Sequence, residues 1–135
     1  MGLDMFLFKR KKFRENDEEY NKLVRDTAEE IGYWRKANEI RNWIIDKTEL
    51  EEDDNCKYIE LSKKDLEDLR EDCIQVLEDH TLAEEIMPTK SGFFFGDTNY
   101  DDYYFNSLGH TIRIINNILE NTNFEIEAID YFDWW

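Results

Sequence analysis

Large apolar side chains crowd the opening of the chain: Leu3, Met5, Phe6, Leu7 and Phe8 follow one another closely before a charged cluster begins at Lys9. A run that short cannot sustain a helix by itself, so the pattern predicts a buried strand. From about Asn16 to Lys47 the spacing lengthens, and Tyr20, Leu23, Val24, Thr27, Ile31, Trp34 and Asn38 fall on one face at the helical period of about 3.6. Tyr33, Ala37, Ile40 and Ile44 add a second stripe, which predicts a central helix apolar on two sides, with Gly32 marking a break.

Beyond it, Glu49-Leu50-Glu51-Glu52-Asp53-Asp54 is nearly all carboxylate, and mutual repulsion favours an exposed connection. Lys57 to Leu61 reads as a short strand. Ser62 stands three residues before Asp65 at the start of a new apolar periodicity, the arrangement of a helix N-cap. Leu66, Leu69, Cys73, Val76, Leu77 and His80 then line one face of the helix that follows. Pro88 ends helical structure in a turn-rich stretch, and Gly92-Phe93-Phe94-Phe95-Gly96 continues the loop. From about Tyr100 another helix aligns Tyr104, Leu108, Ile112, Ile115 and Leu119. Phe124 to Ala128 alternates apolar and charged residues as a half-buried strand does, and the phase slips at Ile129. The expected fold is α+β: one domain over 1–135, with about three helices packed on a small antiparallel sheet that pairs the N- and C-terminal strands.

Composition supports folding: aromatics make up 15% of the 135 residues, which offsets the 37% that are charged. Charge changes the functional picture more. Seventeen Lys and Arg stand against 33 Asp and Glu, for a formal net charge of -16. Such a surface repels nucleic acid and anionic lipid, so neither direct nucleic-acid binding nor membrane binding is expected. Residues 1–14 reverse the sign locally, with Lys9, Arg10, Lys11, Lys12 and Arg14 against Asp4. Cys56 and Cys73 are too few for a disulfide framework, which points to a reducing compartment such as the cytoplasm. The apolar stretch before the basic cluster has the opposite order to a secretory signal, and no run has the length of a membrane span.

Catalytic chemistry finds little support. His110 lies opposite the apolar stripe of its helix, and His80 sits at a helix end where it can meet terminal carbonyls. The cysteines lack zinc-ligand spacing, and Cys73 reads as a small buried hydrophobe. Asp97-Thr98-Asn99-Tyr100-Asp101 begins like a calcium loop, but Asp102 stands where glycine is needed and Leu108 where a bidentate glutamate is needed. Gly92 and Gly96 match no nucleotide fingerprint. The expectation is a protein that is not an enzyme and carries neither cofactor nor metal.

The acid-rich and aromatic segments suggest an interaction surface instead. Phe93, Phe94, Phe95, Tyr100, Tyr103, Tyr104 and Phe105 fall within thirteen residues that also hold three aspartates. Rings supply contact area and carboxylates supply charge complementarity for a basic groove. The expected partner-binding residues are Glu49, Glu51, Glu52, Asp53, Asp54, Asp97, Tyr100, Asp101, Asp102 and Tyr103. Tyr131-Phe132-Asp133-Trp134-Trp135 must pack on its own domain, on a second copy in a homodimer, or on a partner.

Three blocks resemble a group of small uncharacterised proteins encoded by phages and prophages: Met1-Gly2-Leu3-Asp4-Met5-Phe6-Leu7, Glu30-Ile31-Gly32-Tyr33-Trp34-Arg35-Lys36-Ala37-Asn38, and Pro88-Thr89 through Gly92-Phe93-Phe94-Phe95-Gly96 to Tyr100-Asp101. The resemblance implies a phage or mobile-element origin and no particular chemistry. Within these blocks Asn38 shares a stripe with Ile31 and Trp34, so its amide must bond internally or meet a ligand. Asp4 is the expected local counter-ion of Arg35 and Lys36.

The expected function is that of a phage-encoded acidic inhibitor of a host antiviral defence component, anti-CRISPR-like, which blocks the nucleic-acid groove of a basic host protein in the host cytoplasm. The alternatives are a small-molecule or nucleotide binder, or weak enzyme, using a pocket of Trp34, Asn38 and Phe94, and a structural homodimer built on the C-terminal rings.

Overall fold

The computed structural model of the chain describes residues 2–92 and 95–135. Strand β1 spans Asp4–Lys11, helix α1 Glu18–Asp26, strand β2 Glu29–Arg35, helix α2 Asn38–Lys47 and strand β3 Tyr58–Leu61. Helix α3 covers Lys63–Glu78, a 3-10 turn covers His80–Leu82, and helix α4 covers Ala83–Ile86. Helix α5 spans Asp102–Asn121, and strand β4 spans Glu127–Trp134. Polar side chains start the longer helices. Asp17 accepts from the Tyr20 amide, Ser62 and Asp65 form a reciprocal capping box, and Asp101 accepts from the Tyr104 amide.

The four strands form one antiparallel sheet in the order β2-β1-β4-β3, so the terminal strands pair at its centre. Alternation decides what each face carries. Met5 and Leu7 of β1, Trp34 of β2, Ile59 and Leu61 of β3, and Ile129 and Tyr131 of β4 point into the core. Ile40, Trp43 and Ile44 of α2, Leu66, Leu69 and Cys73 of α3, and Leu108 and Ile115 of α5 meet them there. At Gly32 helix α5 approaches closely, since a Cβ would lie 2.9 Å from Ile114 Cγ2. Only glycine keeps strand and helix at that separation.

The α+β class and the central pairing of the two end strands agree with the sequence pattern, and three details differ. Five α-helices occur among the described residues, not about three. The long helix expected over Asn16 to Lys47 is two helices separated by strand β2, so Gly32 is a strand glycine and Trp34 and Asn38 share no helical stripe. Seven alternating residues suffice for the strand because β1 offers a partner edge, a tertiary gain that local periodicity does not register. The C-terminal strand begins at Glu127 and runs through the terminal rings, while Phe124 to Ile126 form the turn before it. Ala128, Ile129, Asp130 and Tyr131 are all buried, because β4 is central and covered on both faces at that point. Among the described residues, no helix is long and apolar enough to cross a membrane.

Candidate functional site

Every strand places one aromatic residue in a single row on the sheet face opposite the core. Tyr33 stands opposite Phe6, Phe6 opposite Phe132, and Phe132 opposite Tyr58. The ring centroids are 5.2 Å apart for Phe6 and Tyr33, 6.3 Å for Phe6 and Phe132, and 4.6 Å for Phe132 and Tyr58. Phe8 widens the row, stacked 5.7 Å from Phe6. These spacings lie in the attractive range for ring pairs, so the strip is a rigid apolar platform. Helices α2, α3 and α5 pack on the other side, leaving Tyr33 39% and Tyr58 40% exposed and Phe6, Phe8 and Phe132 half-buried.

Ionic contacts frame the platform at both ends. At one end Asp130, buried, accepts from Arg10 Nε at 2.6 Å, from Arg10 Nη2 at 3.2 Å, and from Arg25 of α1. The Arg10 guanidinium also reaches Glu60 at 3.0 Å and lies 3.6 Å over the Phe13 ring. Arg25 stacks 3.7 Å over Tyr58, so α1 is stapled to this end of the open face. At the other end Asp4 accepts from Arg35 Nη1 at 2.9 Å and from the Tyr33 hydroxyl, a bond that pushes the Tyr33 pKa up. Trp134, opposite Asp4, is 61% exposed. In the basic cluster after Phe8, Arg10 is buried against Asp130 and Lys9 bonds the Asn121 carbonyl at the end of α5, while the exposed Lys11 and Arg14 lie 3.9 and 4.0 Å from Glu127 and Asp17.

The open edge of β2 is partly closed by α5. Tyr103 donates its hydroxyl to the Arg35 carbonyl, and His110 Nε2 lies 2.7 Å from the Tyr33 carbonyl oxygen. Groups that would recruit another strand are thereby occupied at that end of the edge. His110, expected to face solvent, is half-buried in this contact and edge-on to Trp34. His80 lies just past α3, stacked 3.7 Å from Phe105.

The residues expected to bind a partner fall on two loops. Glu49, Glu51, Glu52 and Asp53 are exposed between α2 and β3, and Asp97, Tyr100, Asp101, Asp102 and Tyr103 are exposed at the entry to α5. Several have internal duties. Lys90 pairs with Glu52 at 2.9 Å and holds its carboxyl below the usual range. Half-buried Asp54 accepts from the Glu51 amide, which lowers its pKa, and its carbonyl accepts from Arg41 and Trp135. Asp97 accepts from the Asn99 amide, Asp101 caps α5, and the Tyr100 hydroxyl bonds at Thr89. Glu52 of the first loop meets Lys90, and Asn38 of α2 bonds both Lys90 and Asp97, at the start of the second.

Trp34 and Asn38 face different cavities. Trp34 is buried and donates Nε1 to Thr111 Oγ1 at 2.8 Å. Asn38 spends its amide on the neighbouring loop, donating to the Phe95 and Asp97 carbonyls at 3.0 and 2.9 Å and accepting from the Lys90 amide at 3.0 Å. It is a clamp for that loop. Phe93 and Phe94 lie outside the described residues, as does Met1. Beside Asn38 a cleft of about 440 Å³ opens at the start of α2, and Glu39 lines it. Glu39 is 4% exposed, bonds the Ser107 hydroxyl, and is pushed by burial up to about 7.

The aromatic row was missed from sequence because its members come from four separate segments. The one local signal was β1 itself, where Phe6 and Phe8 on one face alternate with Met5 and Leu7 on the other. Among the described residues, no group of three or more His, Cys, Asp or Glu is arranged to hold a metal ion. No family model, curated protein or solved structure matches the chain.

Proposed function

We propose that this chain is a non-enzymatic, acidic interaction protein that seats the open face of its sheet on a basic protein. In the phage setting that the sequence resemblance implies, the partner is a host antiviral defence component such as an RNA-guided nuclease complex, met in the host cytoplasm. The observation that carries this is the row of Tyr33, Phe6, Phe132 and Tyr58 on a face that α2, α3 and α5 leave open. Such a face gains free energy when a second surface removes it from water. Aromatic anchors dominate binding energy because they bring large area with few rotamers to freeze.

Charge selects the partner. Even if all 17 cationic side chains were paired, 16 carboxylates would keep their charge unbalanced, so the field around the platform attracts basic surfaces and speeds their encounter. A groove built for nucleic acid has that basic surface. Four rings across an antiparallel sheet also resemble a base-stacking platform. Here Arg10 is buried against Asp130, Lys11 and Arg14 have Glu127 and Asp17 within 3.9 and 4.0 Å, and the net charge repels phosphate.

The test is competition. A purified RNA-guided nuclease complex is titrated with the chain in the presence of labelled target DNA, and a single-stranded RNA is titrated in parallel. Displacement of DNA that weakens as salt rises supports the proposal. Binding of the RNA itself, or self-association through Trp134 with no displacement, contradicts it.

A further inference from the structure

We propose that the cleft at the start of α2 receives an arginine or lysine side chain of the basic partner, with Glu39 as its counter-ion. This rests on the docking role proposed above, and adds the group that the partner must present.

Three observations converge on a cation. First, Glu39 is a carboxyl 4% exposed with no ion-pair partner among the described residues. Its contacts are the Ser107 hydroxyl and its own backbone amide at the helix start. The serine has one proton to give: it bonds the Tyr104 carbonyl at 2.8 Å while accepting from Glu39 as a carboxylic acid, or it turns that proton to Glu39 as a carboxylate. A buried carboxyl without a cation lacks the partner that would hold it ionised.

Second, the cleft wall has the composition that recognises guanidinium and ammonium groups. Asp97 and Asp101 add carboxylates, Asn99 adds an amide, and Tyr103 and Tyr104 add rings. The cations facing Glu39 do not reproduce this partnership. Arg35 is drawn to Asp4, and Lys36 lies at the turn between β2 and α2, packed against Gly2 and Gly96. Asp101 raises the Glu39 pKa further, and buried Cys73 of α3 nearby has its own pKa pushed up.

Third, the cleft adjoins the aromatic platform. Arg35 lines the cleft and also stands opposite Asp4, in the row next to Tyr33. A protein seated on the rings can therefore extend one basic side chain past Arg35 into the cleft.

The probe is arginine blocked at both ends, with equally blocked citrulline as its uncharged counterpart and propionate as an anion. Amide chemical shifts of the labelled chain report site and affinity. Blocked arginine is expected to shift Glu39, Asn99, Asp101 and Tyr103 saturably, and its affinity is expected to rise about tenfold between about pH 6 and about pH 8 as Glu39 ionises. Glu39→Gln should abolish that rise, and Asp101→Asn, which keeps the helix cap, should weaken binding. Asp68→Asn, the same charge change on the outer face of α3, should leave binding unaltered. Equal shifts from citrulline, shifts from propionate instead, or an affinity indifferent to Glu39→Gln would overturn the proposal. Failure of the docking role registers separately, as an absence of DNA displacement while blocked arginine still binds.

Discussion

Phe6 of β1 and Phe132 of β4 face each other across the two central strands, ring centroids 6.3 Å apart, on the side that α2, α3 and α5 leave open. Central strands are ordinarily the best covered part of a sheet, and here their outward residues are phenylalanines rather than polar groups. The inward neighbours Met5, Leu7 and Tyr131 hold the strands in place, so the outward rings are fixed without contributing most of the core. On the proposed docking role, the rings offered to a partner lie opposite the core residues of the same two strands.

Replacing rings on the open face should therefore separate binding from folding. Tyr58→Ser is expected to weaken binding to the effector complex by about 30-fold, the scale of an interface hot spot of roughly 2 kcal/mol. The melting temperature should fall by only a few degrees, because Tyr58 is 40% exposed. Calorimetric titration alongside a thermal melt measures both, and equal losses in each would mean that the ring serves folding.

Asp130 is expected to behave in the opposite way. Asp130→Ala leaves the buried Arg10 guanidinium without its main carboxylate and releases Arg25, so it should cost about 3–5 kcal/mol in urea unfolding. Amide exchange should quicken first in α1, which Arg25 ties to the sheet.

The contrast between these sites bears on what the sequence discloses. Strand β1, the capping box at Ser62 and the long helix α5 were legible because each has a local cause: an apolar run, a hydroxyl three residues before a carboxylate, a sustained stripe. Strand β2 was not, since Ile31, Trp34 and Asn38 also fit a helical period, and no glycine or proline marks the change at Thr27 and Ala28. The loops rich in acids and rings were conspicuous locally, and the structure puts Asp54, Asp97 and Asp101 to internal use there. The row of Tyr33, Phe6, Phe132 and Tyr58 exists only once register is fixed, so it has no signature in any one segment. Glu39 carries no mark in the sequence, inside the helix expected over Asn16 to Lys47; its place in the first turn of α2 and its burial against Ser107 exist only in the fold.

The Glu39 carboxyl sets a pH dependence with a definite sign. Its pKa rises from 4.5 to about 7 on folding, so between those values the folded state holds more protons than the unfolded one. Stability then falls as pH rises through that window and levels off above about 7, by up to about 3 kcal/mol for this group. Glu39→Gln carries no such proton. The variant should match the parent near about pH 4 and become progressively more stable than it toward about pH 8, as urea midpoints at successive pH values would reveal.

Edge protection yields a different expectation. Removing both caps on the β2 edge, with Tyr103→Phe and His110→Ala, uncovers the Arg35 and Tyr33 carbonyls. The double variant should self-associate in a concentration-dependent manner by sedimentation velocity. A monomer at all concentrations would mean that the acidic surface alone keeps copies apart.

Hydroxyl-radical labelling of the aromatic side chains, with and without the purified effector complex, tests the docking face most directly. Tyr33, Phe6, Phe132 and Tyr58 should lose labelling together on binding while Phe105, stacked on His80, keeps its own. Protection of Tyr100, on the acid-rich loop, with continued labelling of the four-ring row would contradict the account.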